Sequence, residues 1–127
     1  MSERLQFAVP LVPPSVNHYV KHFRNGGHVK TGEAQAFKDA VALYARHDYC
    51  EGKEFAVAIR VILGRGDRGD VDNFPKLVLD GLADCGAFQS SKGNPLSDAH
   101  VRDLRVIVDR KSRPARGSTA IIVEALA

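Results

Sequence analysis

The chain has 127 residues, 44% of them apolar and 26% charged, with 18 Lys and Arg against 15 Asp and Glu for a net charge of +3. That length supports one domain with a modest core. No apolar run approaches the length needed to span a bilayer, so no membrane partner is expected. Residues 1–10 carry no signal-peptide pattern, and Cys50 and Cys85 stand apart with no Cys-x-x-Cys. A reduced, cytoplasmic protein is the expectation. The small positive surplus is compatible with a polyanionic partner without requiring one.

In chain order, residues 5–9 alternate weakly and read as a strand, halted by Pro10 and Pro13-Pro14. Residues 15–30 are polar, aromatic and glycine-containing, with no sustained period, and read as a loop carrying Lys21, His22, Arg24, His28 and Lys30. Thr31 is placed to cap a helix through about residue 47, whose apolar positions Ala34, Phe37, Val41, Tyr44 and Ala45 follow helical spacing. Residues 55–63, rich in Val and Ile, predict a strand. The loop Gly64-Arg65-Gly66-Asp67-Arg68-Gly69 leads into Asp70-Val71-Asp72-Asn73. A second helix is predicted over 73–85, opened by a cap from Asp72 or Asn73 with Pro75 in its first turn. Phe74, Leu77, Val78, Gly81, Leu82 and Cys85 form its apolar stripe, and Lys76, Asp80 and Asp84 lie away from it.

Residues 90–95 make a polar, turn-rich loop before Leu96-Ser97-Asp98-Ala99. Residues 101–108 predict a strand, 111–117 a basic turn and 119–126 a last strand. The order β-α-β-α-β-β, ending in a hairpin, predicts one α+β domain over 1–127, with two main helices packed on a mixed sheet.

Asp70 and Asp72 alternate across one residue, so on an extended chain both carboxylates project to one side. Two close carboxylates repel unless a cation sits between them. Oxygen donors without clustered Cys or His point to Mg²⁺ or Mn²⁺ rather than zinc. Asp98 completes the best candidate metal set, provided that the strand after it lies beside the strand before Asp70. Lys76 is a candidate for offsetting charge on a phosphate. The competing account makes these aspartates caps and turn-formers, and pairs Lys76 with Asp80 or Asp72 on the helix surface. Further arginines crowd the last third, at 102, 105, 110, 113 and 116, with Lys111 among them. Cationic loops around a carboxylate centre suit phosphodiester cleavage, although most charge runs are simply solvated.

Three blocks in this order resemble the RusA family of Holliday-junction endonucleases: Pro13-Pro14-Ser15-Val16-Asn17-His18-Tyr19, then Asp70-Val71-Asp72-Asn73 with Lys76 and Asp80, then Leu96-Ser97-Asp98-Ala99-His100-Val101. The resemblance implies a small homodimeric, Mg²⁺- or Mn²⁺-dependent nuclease that resolves four-way DNA junctions by paired nicks, in recombination and repair. It implies that Asp70, Asp72 and Asp98 are the metal-binding catalytic carboxylates and Lys76 the essential lysine. Two departures stand out. Ser97 occupies a position where the family often has another acidic residue, and the 90–95 loop is longer than usual. Lys21, Arg24, Lys30 and Arg68 are candidate phosphate contacts. Asn17 and Tyr19 either touch a splayed junction or fix their own loop. The alternatives are a non-catalytic nucleic-acid-binding module and a metal nuclease for another branched DNA or for RNA.

Overall fold

The structure, a computed structural model, describes residues 4–14, 20–22, 28–30, 32–67 and 74–126, with backbone alone for 20–22 and 28–30. Eight strands are described: β1 (Arg4–Val9), β2 (Val20–His22), β3 (His28–Lys30), β4 (Cys50–Glu51), β5 (Phe55–Ile62), β6 (Phe88–Gln89), β7 (Val101–Asp109) and β8 (Ser118–Ala125). Two α-helices, α1 (Gly32–Ala45) and α2 (Pro75–Asp84), and a 3-10 turn at Asp98–His100 accompany them. The α+β class, the two helices and the six long elements all agree with the sequence pattern.

The main sheet has the order β1-β8-β5-β7. β8 runs antiparallel to both β1 and β5, whereas β7 runs parallel to β5. The expected terminal hairpin therefore does not form, because β5 lies between β7 and β8. Residues 110–117 instead cross the C-terminal end of β5, where Arg65 N–H donates to the Pro114 carbonyl at 3.0 Å. Within 15–30, read as a loop throughout, β2 and β3 pair antiparallel over three residues each.

Alternation decides which sheet face is buried. Leu5, Val9, Val57, Ile59, Val61, Ile121 and Val123 are buried, while their neighbours Ala56, Ala58, Ile122 and Glu124 are not. The buried face meets Ala34, Phe37, Val41 and Ala45 of α1 and Leu77, Val78 and Leu82 of α2 in one core. Phe37, Phe55, Phe74 and Phe88 are fully buried in it, each burial being worth roughly 1.5–3 kcal/mol. The Phe55 and Phe88 rings stand 5.1 Å apart at a tilt of 43°. α1 and α2 pack directly, joined at the surface by the Lys38–Asp84 ion pair.

Helix boundaries differ from expectation in one instructive place. α2 starts at Pro75, and the buried residue before it, Phe74, makes no side-chain capping bond. Asp72 and Asn73, the expected caps, lie outside the described residues. α1 ends where Arg46 and His47 take left-handed backbone, at φ 55° and 61°. A second element escaped the pattern: β4 and β6 form a short parallel pair. Two residues per strand are too few for periodicity to register.

Candidate active site

Asp98 opens the 3-10 turn that precedes β7, and four fastenings hold that turn. Ser97 Oγ accepts the Ala99 N–H at 3.2 Å, and the Val101 N–H bonds back to the Asp98 carbonyl. Leu96 N–H donates to the Phe88 carbonyl at 2.8 Å. His100 places Nδ1 3.2 Å from the Lys53 carbonyl, which needs the proton on that nitrogen. His100, which by sequence either orients something beside Asp98 or is a surface histidine, thus ties the turn to the chain just before β5.

The Asp98 side chain itself is exposed. Its carboxylate makes no hydrogen bond or ion pair with any described residue. Four acceptor lone pairs therefore point away from the fold on a backbone that is well held.

Lys76 lies in the first turn of α2, exposed and without an ion pair among the described residues. It does not pair with Asp80. Leu77 and Val78, its buried neighbours, set the helix face on which it emerges. Asp80, one turn on, is half-buried and has a partner of its own. α2 touches the Asp98–His100 turn, so the helix bearing Lys76 and Asp80 abuts the element bearing Asp98.

β7 does lie beside β5, yet the parallel pairing sets Val101 opposite Phe55 and Asp109 opposite Ile62. Asp98 therefore precedes the start of this pair, whereas residues 63–67 leave from its far end. Among the described residues, the Asp98 turn makes contact with α2. Asp70 and Asp72 lie outside the described residues, as do Asn17, Tyr19, Arg24 and Arg68. Lys21 and Lys30 fall on β2 and β3, facing Val29 and Val20 across the pair.

The loop before Asp70 is braced. Asp67 Oδ2 accepts the Gly64 N–H at 2.7 Å. Arg113 Nη1 donates to the Gly64 carbonyl at 3.0 Å and to the Asp67 carbonyl at 2.8 Å. A Cβ on Gly117 would lie 2.6 Å from both Asp67 Oδ2 and the Ile62 carbonyl oxygen, so only glycine admits this close approach. Nothing local in the sequence marks Arg113 for this part.

No group of three His, Cys, Asp or Glu is assembled among the described residues. The one described carboxylate of the candidate set, Asp98, offers oxygen donors only. Burial pushes the Cys85 thiol up, and its Sγ donates to the Leu82 carbonyl at 3.5 Å, so it stays a thiol rather than a thiolate ligand.

No family model matches the chain. Among proteins of known activity it is similar to the crossover junction endodeoxyribonuclease RusA of Escherichia coli strain K12, with 36% identity over 98 residues, 75% of each chain. It is 35% identical over the same length and share to the corresponding enzyme of Enterobacteria phage 82. Identity of this order over three quarters of both chains establishes that the chain belongs to the RusA family of crossover junction endodeoxyribonucleases.

Proposed function

We propose that the protein resolves four-way DNA junctions by paired, metal-dependent hydrolysis of one phosphodiester in each of two strands, in DNA recombination and repair. The observation that carries this reading is Asp98: an exposed carboxylate with no partner among the described residues, on a firmly held turn against α2. Its relatives are named for cutting crossover junctions.

In this reading Asp70, Asp72 and Asp98 hold Mg²⁺ or Mn²⁺. When bound, the ion supplies polarisation of the scissile phosphate and a more acidic water. Lys76, whose ammonium is not committed to an ion pair, sits against the phosphate and offsets the negative charge that develops there. Lys21, Arg24, Lys30 and Arg68 grip phosphates, and Asn17 and Tyr19 meet the open centre of the junction. Two symmetric cuts need two sites related by a two-fold axis, which assigns a C2 homodimer. A DNA-junction substrate fits a cytoplasmic enzyme. No helix of the described residues is long and apolar enough to cross a membrane.

The test is a nicking assay on a synthetic four-way junction beside linear duplex, flap and RNA controls, in Mg²⁺, in Mn²⁺ and in EDTA. Paired, metal-dependent nicks, lost in an Asp72→Asn variant that still binds, are the expected result. Junction binding without cleavage in either metal would leave a binding module, and faster cutting of flaps or RNA would assign another substrate.

A further inference from the structure

The basic turn between β7 and β8 divides into cations that hold the fold and cations that face outward. Arg113 is half-buried and of the first kind. Its guanidinium is committed to the carbonyls of Gly64, Asp67 and Arg110, the last at 3.3 Å. Arg65, Lys111 and Arg116 are exposed, with no side-chain partner among the described residues.

The carboxylates at this end of the sheet are answered internally. Asp67 accepts from Gly64, and Asp109 accepts from the Lys111 N–H, the Ser112 N–H and the Ser112 hydroxyl at 2.9, 3.1 and 2.7 Å. Those bonds hold the Asp109 carboxyl at about 2. Neither acid forms an ion pair with Arg65 or Arg116, which leaves both guanidinium groups available for an outside anion.

Arg65 and Arg116 line one open groove of about 350 Å³, together with Leu11, Val12 and Asp67. The two segments are fixed to each other by the Arg65 N–H bond to the Pro114 carbonyl and by the Arg113 clamp. A planar guanidinium suits bidentate contact with a phosphate. The groove borders Asp67, three residues before Asp70.

Resting on the nuclease reading above, we propose that Arg65 and Arg116 form a phosphate-binding ledge for the backbone of one duplex arm of the junction. Its two arginines are additional to the candidate cations of residues 21–30. Its contacts are sequence-independent and electrostatic, so they show in the salt dependence of binding.

The experiment measures junction affinity by fluorescence anisotropy in EDTA over a salt series, for wild type, Arg65→Gln/Arg116→Gln and the charge-matched Arg46→Gln/Arg105→Gln. Arg46 lies just after α1 and Arg105 on the open face of the sheet, away from the ledge. Each phosphate contact contributes about 0.9 to the slope of log K against log salt, so the ledge variant is expected to lose about two from it. The control keeps the wild-type slope, and melting temperatures stay together. Equal slopes in all three proteins, or equal losses in both variants, would overturn the ledge while cleavage by wild type upholds the nuclease. A wild-type protein that neither binds nor cuts DNA would overturn the nuclease reading itself.

Discussion

Two sets of aspartates in this molecule are used in opposite ways. Asp67 and Asp109 turn their oxygens inward to backbone N–H groups and a hydroxyl, and each closes a turn. Asp98 also starts a turn, yet that turn is closed by Ser97, His100 and backbone bonds, leaving its carboxylate unused. A structural aspartate is recognised by the donors it answers. Asp98, the proposed ligand, differs in sitting on a backbone that is held without its help.

The contrast is sharpened most by removing the free carboxylate. Asp98→Asn should lower junction cleavage by about 10²-fold or more, since it takes away a proposed ligand to the centre that stabilises transition-state charge. The same change should move stability by no more than about 0.5 kcal/mol, because the side chain is exposed and unpartnered. Single-turnover kinetics and a urea melt on one preparation check both halves. An equal loss in stability would make Asp98 a structural residue after all.

On the braced side the expected effects are on folding. Gly117→Ala pushes a methyl group into Asp67, the Ile62 carbonyl and Val12. A destabilisation of about 1–3 kcal/mol is expected from such overpacking, read as a lower urea midpoint. A midpoint unchanged from wild type would mean that the loop shifts freely and is not braced.

The smallest effect is the pH dependence of Asp109. The Ser112 hydroxyl, then the Ser112 and Lys111 N–H groups, lower its carboxyl from 3.8 to about 2. A folded value below the ordinary one means that its contribution is fully present above about pH 4 and is lost as pH falls through 2. Urea midpoints should therefore fall more steeply between these values in wild type than in Asp109→Asn.

The elements were largely legible because each is written locally. Alternation over 55–62 and helical spacing at Ala34, Phe37 and Val41 announce themselves within a few residues. Strand order was not, since the insertion of β5 between β7 and β8 depends on pairings across more than forty residues. At the site, Asp98 was legible as a candidate carboxylate, but nothing in its spacing alone brings it to Asp70 and Asp72. Arg113 was hidden among six cations, and only carbonyls 46 and 49 residues away distinguish it. His100 was hidden in the same way, its partner being the Lys53 carbonyl.

The account turns on whether an unpartnered carboxylate holds metal while an internally bonded one does not. Mn²⁺ binding followed by electron paramagnetic resonance, for wild type, Asp98→Asn and Asp109→Asn, tests this directly. The account predicts that Mn²⁺ binds at least about tenfold more weakly to Asp98→Asn and with wild-type affinity to Asp109→Asn. Wild-type affinity in Asp98→Asn would contradict it.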